Sequence, residues 1–147
     1  MFRVSKLWQL SRHERGSLVR GLWCLPLLAL ALRFYGWRRC RQWLEQRAGC
    51  CLPAAVVDEL AYAQQTARIV HLAGRYSVVK ARCLPQSLLL WYWLRQAGLD
   101  SELCFGAHKA AGTLEAHAWV EYQGVPLAEA VNVRQYSVPF TPVASGL

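Results

Sequence analysis

Apolar positions recur at helical spacing through the first two-thirds of the chain and at alternating spacing after it. Ser11-Arg12-His13-Glu14 has the form of a capping box, with Ser at the cap and Glu three residues on. It predicts a helix to about Phe34, bent near Pro26 and stopped by Gly36. Trp37 to Arg47 reads as a second helix, amphipathic and basic, and Gly49-Cys50-Cys51-Leu52-Pro53 as a turn. A helical pattern returns from about Ala54 to Leu72, with Val57, Leu60, Ala61, Ala67 and Val70 among its apolar positions. Asp58 and Glu59 fall in its first turn, where acidic residues suit the helix dipole, and Gly74 is its expected stop. After a short link from Tyr76 to Arg82, Cys83 opens a helix carrying Leu84, Leu88, Trp91 and Leu94/Arg95. Leu89, Leu90, Tyr92 and Trp93 widen its apolar stripe, which predicts a central buried helix ending at Gly98. Pro85 is tolerated in the first turn, where a missing N–H costs little.

Beyond Gly98 the period shortens. Leu103-Cys104-Phe105 predicts a strand ending at Gly106, and His108 to Thr113 a loop. Ala116, Ala118, Val120 and Tyr122 alternate with Glu115, His117, Trp119 and Glu121, a strand with two distinct faces. Gly124 marks a hairpin, with Val125 to Val131 as the return strand. The order predicts an α+β fold: N-terminal helices, then a helix packed on a small antiparallel sheet. The expected organisation is a single domain over 1–147, with a basic helical subregion over 1–53 and a core over 54–147.

Composition supports a packed globule, since 54% of residues are apolar and 18% charged. Charge divides the chain more sharply. Residues 1–50 hold ten Lys/Arg and two Glu, a balance of +8, whereas residues 51–147 hold seven of each sign. That asymmetry suits an acidic partner or a membrane surface. No nucleic-acid reading motif accompanies it, so nucleic acid is not expected. The run Gly21 to Leu32 has twelve residues, whereas a spanning helix needs roughly 20. Arg33, Phe34 and Tyr35 follow where a signal-peptide cleavage site would need small residues. A buried helix is the expectation there, with peripheral membrane contact as the alternative. The six cysteines lie in apolar or helical surroundings without a C-x-x-C pair, and the His residues are scattered. These features predict a reduced, cytoplasmic protein with no metal site and no cofactor.

The chemistry concentrates at two places. Cys83 stands at a helix start, where partial positive charge and unpaired N–H groups favour a thiolate. His117 follows 34 residues later in a strand, and a nearby imidazole is what a nucleophilic thiol needs to move its proton. If the hairpin loop is Tyr122-Gln123-Gly124, His117 faces Glu129 on the return strand. Directly opposed side chains have Cβ atoms roughly 5 Å apart, within reach of an orienting carboxylate. A two-residue loop would turn Glu129 away. Cys104 reads as structural, Glu121 as too far along the strand from His117, and His108 as a weaker alternative base.

Cys83-Leu84-Pro85-Gln86-Ser87, the helix to Gly98-Leu99, and His117-Ala118-Trp119-Val120-Glu121 with Gly124 resemble the leader peptidases of lasso-peptide maturation. These are the stand-alone protease form of the B-type protein, within the transglutaminase-like cysteine protease superfamily. The resemblance implies a transglutaminase/papain-like core, with Cys83 as nucleophile, His117 as base and position 129 as third member. It implies a cysteine endopeptidase that removes the leader from a ribosomally made precursor peptide. It also implies a separate leader-recognition protein and an ATP-dependent macrolactam synthetase as partners. Two departures stand out: Glu129 where the family usually has Asp, and Gln86 where it often has Arg. The same thiol and imidazole also suit acyl transfer to an amine, and the basic helices suit a non-catalytic scaffold.

Overall fold

The computed structural model describes residues 11–49, 57–77, 83–110, 112–127 and 137–140. Three helices precede four strands: α1 (Arg12–Ala48), α2 (Glu59–Tyr76), α3 (Cys83–Gln96), β1 (Ser101–Ala110), β2 (Thr113–Tyr122), β3 (Val125–Pro126) and β4 (Ser137–Phe140). The strands form one antiparallel sheet in the order β3-β2-β1-β4. The fold is the expected α+β arrangement.

The capping box at Ser11 forms, with the Ser11 hydroxyl accepting from the Glu14 N–H and the Glu14 carboxylate accepting from the Ser11 N–H. Helix α1 continues through Pro26 and changes direction at Gly36, whose φ of 76° and ψ of 169° lie outside the helical region. A side chain there would be strained by that positive φ. Gly21 has a packing reason instead: an added Cβ would lie 3.0 Å from the Ala73 Cβ and 3.4 Å from Trp93. Its missing side chain lets α1 approach α2 and α3 closely.

Helix α2 begins later than its apolar pattern suggests. Asp58 is the cap rather than a first-turn residue, accepting from the Ala61 N–H at 3.0 Å. Val57 therefore precedes the helix and is fully exposed. Gly74 does not stop α2, which runs two residues further to Tyr76. At the end of α3 the expectation holds. Gly98 takes φ 82°, its N–H donates to the Arg95 carbonyl, and the Leu99 N–H donates to the Leu94 carbonyl. This is a Schellman closure, with buried Leu94 and Leu99 as its apolar pair.

The core gathers around α3, most of whose residues are buried, including Leu88, Leu89, Leu90, Trp91, Trp93 and Leu94. Leu18, Leu25, Cys40 and Leu44 join it from α1, Ala63, Ala67 and Val70 from α2, and Leu103, Val120 and Tyr122 from the sheet. Trp37 meets Phe105 edge-on, with ring centroids 5.2 Å apart, which seats the second segment of α1 near β1. Helix α1 is not the buried helix expected from its composition. One face packs inward, and Val19, Trp23, Leu27, Leu30 and Phe34 stay exposed.

The sheet is longer than predicted. Strand β1 extends through His108 to Ala110 and pairs with β2 from Ser101↔Tyr122 to Ala110↔Thr113. The expected loop over His108–Thr113 thus shrinks to a tight turn containing Gly112 at φ 85°. Strand β4, which has no clear periodicity in the sequence, adds to the far edge of β1.

Candidate active site

Helix α3 begins at Cys83, so the thiol sits where backbone N–H groups lack intrahelical partners. Four residues on, the buried Ser87 hydroxyl donates to the Ala118 carbonyl at 2.8 Å. Ala118 directly follows His117 in β2. One buried hydrogen bond therefore fastens the first turn of the cysteine helix to the histidine strand. The Ser of the Cys-Leu-x-x-Ser pattern has a mechanical role that the sequence alone does not give.

Cys83 and His117 line one cavity of ≈ 230 Å³, together with Val70, His71, Gln86 and Trp119. Strand β3 pairs with Glu121 and Tyr122, and beyond it the Leu127 N–H donates to the Val120 carbonyl at 2.9 Å. Cys83 and His117 are each partly exposed. Burial lowers the pKa of His117 below its ordinary 6.5, and the nearby His71 lowers it further. Both effects favour the neutral imidazole, the form that accepts a proton.

Trp119 and Glu121 complete the same strand face. The buried Trp119 indole donates to the Glu121 carboxylate at 2.8 Å, and its ring lies near-parallel to that of His117 at 6.3 Å. Glu121, too remote along the strand to serve His117, thus holds the indole beside it.

His71 is the site residue that sequence reasoning did not single out. It lies on α2, with Nδ1 3.1 Å from the Gln86 side-chain amide oxygen Oε1. An amide oxygen only accepts, so this contact takes the Nδ1–H tautomer of His71. Gly74 explains how Gln86 reaches it. A Cβ at position 74 would lie 2.4 Å from the Gln86 Nε2 and 2.5 Å from its Cδ. The glycine mistaken for a helix stop is the floor beneath the Gln86 amide. The available signal was the pairing of Gly74 with His71, one turn apart on α2.

The hairpin differs from the three-residue loop that aligned His117 with Glu129. Gln123 and Gly124 form a two-residue turn, at φ 51° and 74°, between Tyr122 and Val125. These are the two positive φ angles of a type I′ turn, whose twist matches that of the strands. The Glu121↔Pro126 pairing is one residue off the Glu121↔Val125 pairing on which a His117–Glu129 pair depends. The turn therefore gives no support to a His117–Glu129 pair, and Glu129 itself lies outside the described residues. So do Cys50 and Cys51; of the predicted return strand Val125–Val131, Val125–Pro126 is strand, Leu127 is not, and residues 128–131 lie outside the described residues.

Cys104 takes no part in the cavity. Burial, with the Glu121 and Glu102 carboxylates, pushes its thiol pKa up to about 11. Among the described residues no group of three or more His, Cys, Asp or Glu is placed to hold a metal ion.

The family model of the transglutaminase-like superfamily matches residues 24–144. The chain belongs to the transglutaminase-like superfamily. No curated protein and no solved structure matches it. The superfamily comprises cysteine peptidases and acyl transferases, so both the helix-borne thiol and the strand-borne imidazole fall within its chemistry.

Proposed function

We propose that the protein is a cysteine endopeptidase that removes the leader from a lasso-precursor peptide. The observation that carries a catalytic reading is that Cys83, at the start of α3, and His117, on β2, line one cavity. The restriction to lasso leaders rests on the resemblance of the Cys-Leu-x-x-Ser and His-Ala-Trp blocks.

In the proposed cycle His117 accepts the Cys83 proton and the thiolate sulfur attacks the scissile carbonyl carbon. Backbone N–H groups at the start of α3 stabilise the oxyanion. The C–N bond breaks as His117 donates the proton to the leaving amine, leaving an acyl-enzyme thioester. Water, losing its proton to His117, then attacks the thioester, and Cys83 leaves as the thiolate. Glu129 is the proposed orienting acid on the resemblance alone. A separate leader-recognition protein delivers the precursor, and an ATP-dependent macrolactam synthetase closes the released core peptide. The site of action is proposed to be the cytoplasm.

Family membership equally favours a second reading in which an amine, rather than water, takes the acyl group. Mass spectrometry of a precursor peptide incubated with the protein and the leader-recognition protein separates them. Cleavage at one bond with gain of water, absent with Cys83→Ala, is the expected result. Gain of an amine would move the assignment to acyl transfer. Cleavage at the same rate by Cys83→Ala would refute both.

A further inference from the structure

We infer that the first segment of α1 lies flat on a membrane surface rich in anionic lipid. Val19, Trp23, Leu27, Leu30 and Phe34 recur at intervals of three and four residues, so they form one stripe along the helix. The stripe is about 22 Å long at 1.5 Å per residue. Its large members are open to solvent: Trp23 is 71% exposed, Leu27 63% and Phe34 75%. Other large apolar side chains are also exposed, among them Trp43 and Leu114, but they are scattered, whereas these five stand in one row on one helix face.

The charge around the stripe selects its occupant. From Arg15 to Leu44 the chain has six arginines and no acidic residue. Arg12 and Arg15 precede the stripe, Arg20 and Arg33 lie within its span, and Arg38 and Arg39 follow the turn at Gly36. Aromatic and aliphatic side chains on one face, bordered by arginines, are the composition of a helix seated at the headgroup boundary. A second copy of the chain would bring the same positive surface against itself. Anionic headgroups complement it.

The orientation follows from packing. Helix α1 is long and apolar enough to cross a membrane by length and composition, but 17% of its most apolar stretch is buried in the protein. Leu18, Gly21 and Leu25 are those buried positions, with Gly21 against Ala73 and Trp93. A spanning helix would have to leave that contact. A helix lying in the interface keeps it and wets only the opposite face.

The test is co-sedimentation of the full chain with phosphatidylcholine vesicles, with and without phosphatidylglycerol. The wild-type chain is expected to sediment with the anionic vesicles, weakly with the neutral ones, and less at 0.5 M NaCl. Trp23→Ser/Leu27→Ser should weaken binding more than tenfold. Arg33→Gln/Arg38→Gln leaves the stripe intact and should weaken it by about 25-fold at low salt, near fivefold per arginine. Far-UV circular dichroism checks the fold of each variant, and the arginine pair stands as the test if the apolar pair unfolds. Absence of sedimentation, or equal sedimentation with neutral vesicles, would overturn the inference. So would a dimer in gel filtration that Trp23→Ser/Leu27→Ser dissociates without any vesicle binding, which would assign the stripe to a second copy.

Discussion

Gly74→Ala should fail to give the stabilisation that this substitution normally brings inside a helix. Alanine is favoured over glycine there by about 1 kcal/mol. Position 74 is two residues from the end of α2, and the new methyl would stand 2.4 Å from the Gln86 Nε2 and 2.5 Å from the Cδ. Those atoms end a flexible side chain, so the amide can move, but moving takes it from His71 Nδ1 at 3.1 Å. Losing one such hydrogen bond costs about 0.5–1.5 kcal/mol. The gain and loss nearly cancel, leaving Gly74→Ala within about 0.5 kcal/mol of wild type. In a Gln86→Ala background the obstacle is gone and the full gain of about 1 kcal/mol should return. Urea unfolding of the four proteins forms a double-mutant cycle, with an expected coupling of about 1 kcal/mol. Additivity within about 0.3 kcal/mol would show that Gly74 does not floor the Gln86 amide.

Ser87→Ala removes the buried hydrogen bond between α3 and the Ala118 carbonyl. A stability loss of about 1–2 kcal/mol is expected by urea unfolding. A fall in kcat beyond what the unfolded fraction explains is also expected, and unchanged kcat in the folded variant would deny that the bond positions the site. The depressed pKa of His117 keeps the imidazole neutral below pH 6.5, so the acidic limb of kcat/KM that its protonation imposes should lie below that value. His71→Gln removes the second of the two causes and should move that limb upward, while burial keeps it below the ordinary value; an unmoved limb would contradict the coupling. With its thiol pKa pushed up to about 11, buried Cys104 should resist iodoacetamide at pH 7.5 while the partly exposed Cys83 is alkylated, as peptide mapping would show. Labelling of both at similar rates would refute that contrast.

Local signals were legible wherever one residue type had a single physical use. Ser11 and Glu14 announced a capping box, Gly36 a break, and Gly98 a left-handed helix end, and each is found where the sequence put it. The change from helical to alternating period announced helices followed by a sheet. The thiol at a helix start and the imidazole in a strand were equally readable, because the residues and their elements are local facts. Other features depended on what came to lie alongside. Gly74 looked like a stop because its missing side chain has two explanations, and only the nearness of Gln86 decides between them. His71 and Gly74, one turn apart on α2, acquired a meaning only when α2 packed beside α3 and brought His71 into the cavity with Cys83 and His117. The hairpin register turned on one residue of loop length, since Gln123 with Gly124 alone satisfies a two-residue turn. Periodicity specifies which faces an element has. Which face meets which neighbour is set by packing across long stretches of chain, and there the tertiary structure decided the shape of the site.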